Sequence, residues 1–251
     1  MDMLGMGAAA RWRRGAVVMA GLLLAACSGV DFDYPQPSDY AIHGIDVAYY
    51  QGDIDWREVR RGGVQFAYIK ATEGGDHIDP KFRENWDSAA AAGMPRGAYH
   101  FWYFCRPVQD QIAWFMLNVP NDPTALPPVL DMEWNNESKT CRTRPPADQL
   151  RSEIRQFLDE VERWYGKRPI IYTSVDFHRD VLQGQFEDYD FWLRSVAGHP
   201  QTRYGARRWT FWQYTAEGKV RGINGHVDRN AFVGKPEEWA ALLSGTRLAY
   251  K

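Results

Sequence analysis

The sequence predicts an α/β fold, an irregular TIM-like (β/α)5(β)3 barrel. Three observations lead there. Short apolar runs of strand length alternate with stretches of helical periodicity, eight such runs fall between residues 42 and 229, and the helical stretches thin out after the fifth. Strands separated by helices pair in parallel through right-handed crossovers. Eight strands suffice to close a barrel. The last three connections are too short for full helices, so the second half is expected to be mostly strand.

The first strand is Ile42–Val47 and the second 66–71. A helix follows over 80–92, with Pro80 in its first turn and Gly93 just past its end, the expected helix punctuation. Residues 97–102 form the third strand, 108–119 a helix and 129–134 the fourth strand. Ala147–Tyr165 is the clearest helix: Leu150, Ile154, Phe157, Leu158, Val161 and Trp164 recur at three- and four-residue spacings and make one apolar face. The fifth strand is 169–173, and Ser174 then caps a helix over 174–182. Residues 191–196, 209–214 and 225–229 are three further strands, and a last helix, 236–244, docks on the outside. One domain spans 41–246 and 247–251 is a tail; no internal repeat or low-complexity break divides it.

The chemistry centres on Pro127-Pro128-Val129-Leu130-Asp131-Met132-Glu133-Trp134. Alternate strand residues share a face. Asp131 and Glu133 therefore point the same way, with Cα atoms about 6.5–7 Å apart at ~3.3 Å rise per residue, while Leu130 and Met132 turn to the helices. A buried carboxylate needs a partner, so two acids at the end of an apolar strand are costly as mere structure. They also fall at the C-terminal strand end, where barrel enzymes place their active sites. Asp46 in Ile45-Asp46-Val47 and Asp228 in His226-Val227-Asp228 carry the same mark on the first and last strands. Either alone could equally be a helix cap or a salt-bridge partner. In a closed barrel those strands are neighbours, and four carboxylates would line one mouth. Clustered like charges raise some of the pKa values, and a carboxyl kept protonated near neutrality can act as a general acid.

Composition narrows the partners. The 251 residues carry a formal charge of −2, and a mildly acidic body lacks the basic face of a nucleic-acid binder. Of the 11 Trp and 13 Tyr, most are read as core. The six His show no metal-type spacing, and neither a phosphate-binding glycine loop nor a serine-triad elbow occurs, so no metal and no cofactor is expected.

At the N-terminus, Arg11, Arg13 and Arg14 precede an apolar run, 16–26, that is short for a spanning helix and reads as a secretion signal. It ends Leu24-Ala25-Ala26-Cys27-Ser28, which resembles the bacterial lipoprotein processing box, with Cys27 the lipidated first residue of the mature chain. The alternative is an ordinary cleaved signal with Cys27 incidental. Residues 1–26 are thus a signal peptide, and 27–40 the lipidated Cys and a tether. Ser28 resembles the outer-membrane sorting residue of diderm lipoproteins, which implies an exported protein held at the outer membrane, facing the periplasm or the cell surface. Cys105 and Cys141 remain, an even pair that in an oxidising compartment suggests one disulfide rather than two free thiols.

Five ordered motifs carry a wider resemblance: His43-Gly44-Ile45-Asp46-Val47-Ala48-Tyr49-Tyr50-Gln51-Gly52, Ile69-Lys70-Ala71-Thr72-Glu73-Gly74, Gly97-Ala98-Tyr99-His100-Phe101, Val129-Leu130-Asp131-Met132-Glu133-Trp134 and Phe211-Trp212-Gln213-Tyr214. Together they resemble the family 25 glycoside hydrolases, the lysozymes of the Chalaropsis and bacteriophage-endolysin type. The resemblance implies a muramidase acting on the β-1,4 bond from N-acetylmuramic acid to N-acetylglucosamine in peptidoglycan. It places Glu133 on the general acid, Asp131 on its partner carboxylate, and Asp46 and Asp228 on two further acids of the groove. Substrate assistance by the 2-acetamido group, with Asp131 steadying it, is favoured over direct attack by a carboxylate. Groove-wall candidates at strand ends are Tyr99, Phe101, Trp134, Tyr172, Trp192, Gln213 and Tyr214, each as readily core as sugar contact. Glu73 reads as a structural partner of Lys70. The protein is treated as a monomer working on peptidoglycan strands. A non-catalytic wall-binding protein and a glycosidase for chitin-like polymers stay open as rivals.

Overall fold

Period-two alternation is visible in which side chains are buried where. A computed structural model describes residues 34–244; the stretch 1–26 expected to be a signal peptide, Cys27 and the 247–251 tail lie outside the described residues. The elements run β1 (Ile42–Val47), α1 (Trp56–Arg61), β2 (Phe66–Glu73), β3 (His77–Ile78), α2 (Phe82–Ala91), β4 (Arg96–Phe101), α3 (Val108–Asn118), β5 (Val129–Met132), α4 (Ala147–Tyr165), β6 (Ile170–Thr173), α5 (Val175–Phe177), β7 (Asp190–Arg194), α6 (Pro200–Tyr204), β8 (Phe211–Gly218), β9 (Val227–Phe232) and α7 (Pro236–Leu243). Leaving aside the two-residue β3, the strands follow the order β1-β9-β8-β7-β6-β5-β4-β2, and pairing of β1 with β2 closes the barrel.

The expected barrel is present, with one departure. All neighbours from β1 through β2 and β4 to β8 pair in parallel, but β9 is antiparallel to both β8 and β1. The 219–226 connection carries Gly222 and Gly225 at positive φ and turns the chain straight back, as a hairpin can and a crossover cannot. The short helices α1 and α6 were not expected; five or six residues are too few to show a helical period. Asp55 caps α1, its Oδ1 accepting from Arg57 N at 3.1 Å and Glu58 N at 3.0 Å. Ser174 does not cap a regular helix: its Oγ donates to Asp176 Oδ1 at 2.7 Å, and α5 runs on into a π-helical turn at His178–Leu182.

Two apolar layers result. Ile45, Val47, Ile69, Leu130, Met132 and Leu193 face outward against the helices, where Leu150, Ile154, Phe157, Leu158 and Val161 of α4 are fully buried. Inside the barrel lie Phe66, Tyr68, Val129, Ile170, Trp192, Phe211 and Phe232, with Leu242 of α7 in the same cluster. Glycines make room for these rings. A Cβ on Gly44 would stand 2.4 Å from the Phe66 ring, and one on Gly97 2.3 Å from Tyr68. Residues 34–40, read as tether, also touch the domain: Tyr34 stacks on His199 with centroids 4.6 Å apart, and Tyr40 meets Trp212 edge-on.

Candidate active site

The inward face changes character along the strands, from aromatic to polar. One step above Tyr68 and Trp192 the interior is lined by Asp46, Lys70, Tyr99, Asp131, Tyr172, Gln213 and Asp228, and it opens as a cleft of about 690 Å³. β5 delivers Asp131 inward between the outward Leu130 and Met132, and Glu133 follows at its end. β1 delivers Asp46. Asp228 pairs directly with Asp46 in register, and opposed residues of an antiparallel pair share a face. The sequence reading placed Asp228 at a strand's far end. It lies instead near the start of β9, and reaches the common mouth because β9 runs the other way.

Each acid has its own surroundings. Asp46 is buried, and its Oδ2 accepts from Gln213 Nε2 at 3.0 Å and Asn230 Nδ2 at 2.8 Å. Those amides are themselves held, Gln213 Oε1 accepting from the Tyr172 hydroxyl at 3.0 Å and Asn230 Oδ1 from Trp192 Nε1 at 2.8 Å. Burial, and then the charge of Asp228, push the Asp46 carboxyl up to about 8. Asp131 is also buried, and its Oδ1 has no hydrogen-bond partner. Burial and then neighbouring Glu133 hold its pKa well above the usual carboxylate range. Burial likewise raises Glu133, with Arg194 pulling the other way, and raises Asp228 against the same arginine. Tyr99 is driven up by burial and then by Asp46, Asp131 and Asp228, so it stays a neutral phenol among the acids. Burial and mutual repulsion in such a site favour the protonated carboxyl, the form a general acid needs.

Residues 45–223 match the model of glycosyl hydrolases family 25. The chain belongs to that family. Among its relatives, "Uncharacterized protein YegX" of Escherichia coli O157:H7 is 40% identical over 220 residues, covering 84% of this chain and 76% of that one. "Lysozyme M1" of Streptomyces globisporus is 36% identical over 222 residues, covering 84% and 74%. A solved family 25 glycosyl hydrolase from Bacillus anthracis superposes with a TM-score of 0.73 at 38% identity, covering 80% of this chain and 92% of its own. Family 25 membership makes the protein a glycoside hydrolase, and the barrel above is the fold of its family 25 neighbours.

Within this family 25 barrel, six of the seven expected wall residues line the cleft: Tyr99, Phe101, Trp134, Tyr172, Trp192 and Gln213. Their situations differ. Trp192 is 2% exposed and forms the floor, and the Gln213 amide is spent on Asp46 and Tyr172. Trp134 is braced by Phe104 and Phe177, donates to Asp180 Oδ2 at 3.0 Å and lies under the Arg144 guanidinium. Tyr214 is the correction. Alternation along β8 sends it outward when Gln213 points in, and its hydroxyl meets His43 Nδ1 at 3.2 Å. His100, within the same motif as Tyr99, also faces out. It is fully buried, bonded to Thr72 Oγ1 at 2.7 Å and Gln111 Oε1 at 3.1 Å, and burial lowers its pKa to about 4.

Glu73 holds Lys70 Nζ at 2.7 Å, as expected, yet both also line the cleft. The sequence reading missed Arg194, Tyr103 and the 135–138 loop as wall. Arg194 was legible, because it lies two residues past inward-facing Trp192. The loops were not. The Cys105–Cys141 disulfide, with Cα atoms 5.8 Å apart, joins the loop after β4 to the one after β5, and Tyr103 bonds Ser138 Oγ at 3.0 Å beside it. Among the described residues no cluster of His, Cys, Asp and Glu is arranged to hold a metal ion.

Proposed function

We propose that the chain is a peptidoglycan hydrolase of the lysozyme class, an N-acetylmuramidase that cuts the β-1,4 bond from N-acetylmuramic acid to N-acetylglucosamine. The observation that carries the reading is the pair at the end of β5: Glu133 with its raised pKa just past the strand, and the buried, unpartnered Oδ1 of Asp131 within it. A sugar ring seated over them meets a proton donor for its leaving oxygen. The substrate's 2-acetamido carbonyl attacks the anomeric carbon as that C–O bond breaks, and Asp131 accepts the acetamido N–H and steadies the positive charge that forms. Glu133, now ionised, takes a proton from water as the water opens the cyclic intermediate. Asp46 and Asp228 shape the opposite wall. The names of relatives such as "Lysozyme M1" support this substrate class.

Mass spectrometry of borohydride-reduced digests of purified cell wall tests the bond. Reduced N-acetylmuramic acid is expected at the new ends; reduced N-acetylglucosamine ends, or no soluble fragments, would overturn the assignment. The proposal extends to export as a lipoprotein acylated on Cys27, the only cysteine outside the disulfide. Labelled palmitate is expected in the wild-type chain and absent from Cys27→Ser; label retained in the variant would sink it.

A further inference from the structure

The cleft is lined by six acids, Asp46, Glu73, Asp131, Glu133, Glu137 and Asp228, and by two cations, Lys70 and Arg194. Lys70 is committed: its Nζ lies 2.7 Å from Glu73 Oε2 and 4.7 Å from the centre of the Phe101 ring. Arg194 is not. It ends β7, opposite Gln213 in register, and follows inward-facing Trp192 by two residues, so it stands one layer nearer the mouth. Its backbone carbonyl accepts from the Tyr204 hydroxyl at 2.6 Å, but its guanidinium forms no hydrogen bond or ion pair among the described residues. It is half-buried, with Glu133 and Asp228 close enough to feel its charge.

Resting on the muramidase reading, we propose that Arg194 is a specificity residue that receives a carboxylate carried on the 3-O-lactyl arm of the muramyl sugar. The arm offers two sources of that chemistry, the lactyl carboxylate itself in strands stripped of peptide, and the stem carboxylates where peptide remains. A planar guanidinium presents parallel N–H donors that match a carboxylate's two oxygens. The site needs such a group. An anionic sugar entering an acid-lined cleft is repelled unless a cation receives it, and this one lines that cleft half-buried. The cleft is also less negative than its residue count: Asp46 is raised to about 8, and Glu73 is paired with Lys70. A neutral chitin-like chain would gain nothing from Arg194.

The test compares Arg194→Gln and Arg194→Lys with wild type on four glycans: peptide-free and peptide-bearing muramyl oligomers, each with its carboxyls free or amidated. Wild type is expected to show a lower KM on the free-carboxyl forms by roughly 10–100-fold, the range of a charge-assisted hydrogen-bonded pair. That preference collapses toward unity in Arg194→Gln and is partly restored in Arg194→Lys. Whether it shows on the peptide-free or the peptide-bearing pair identifies the source. Two results would overturn the inference: wild type indifferent to amidation, or Arg194→Gln losing kcat equally on all four with a shifted pH profile, which marks an effect on the acids alone. Should wild type cleave none of them, the muramidase reading fails instead, and the same comparison is read as glycan dissociation constants of wild type, Arg194→Gln and Arg194→Lys.

Discussion

Glu133→Gln is expected to lower kcat on cell-wall glycan by about 10³-fold, the loss that follows when a positioned general acid is removed. KM should move little, because glutamine keeps the shape of the side chain and the sugar's contacts along the cleft are untouched. Folding should hold or improve. Burial disfavours the ionised form of Glu133, and the amide has no charge to desolvate. The pH profile of the wild type adds an independent check. A general acid must be protonated, so kcat/KM falls as pH rises through the pKa of free Glu133, and the raised pKa puts that alkaline limb above the range of an ordinary glutamate. Turbidity loss and fragment release, measured beside thermal unfolding, decide the matter. A variant that clears wall within tenfold of wild type while folded would remove Glu133 from the mechanism.

Asp46→Asn is expected to make the protein more stable and less active together. The Asp46 carboxyl is raised to about 8 in the fold from an ordinary value of 3.8. Between those values the folded protein keeps a proton that the unfolded chain releases, so stability declines as pH climbs through that window and levels off above it. Below about 4 both states are protonated and the effect vanishes. Asparagine removes the titration and keeps an oxygen to accept from Gln213 and Asn230. At pH 8 the gain should be on the order of 2–5 kcal/mol, seen as a higher urea midpoint, and should disappear near pH 4. Activity should fall by tenfold or more, the usual exchange when a site carboxyl is given up for stability. Equal stability of the two proteins from pH 4 to 8 would show that Asp46 titrates normally.

Much of this was legible without coordinates because the governing signals are local. Alternation is a property of a few consecutive residues, so Asp131 and Glu133 could be put on one face, and Leu130 and Met132 on the other, before any strand was paired. The clearest helix, α4, is Ala147–Tyr165 in sequence and structure alike, since five of its apolar residues supply one fully buried stripe. Arg194 and Lys70 obey the same alternation, each standing on the inward face of its strand.

By itself, the sequence determined the barrel, the pair of acids on β5, and the even pair of cysteines. Tertiary structure alone decided which mouth each residue serves. Asp228 joins Asp46 because β9 reverses direction. Gln213 is taken up by Asp46 and Asn230 by Trp192 because closure brings β1, β7, β8 and β9 together, and Tyr103 becomes wall because a disulfide draws two distant loops alongside. The physical reason is range. Which face a side chain takes is settled by its neighbours one and two residues away. Strand direction, ring closure and the burial that raises these carboxyl pKa values depend on segments far apart in the chain, 184 positions in the case of Asp46 and Asn230.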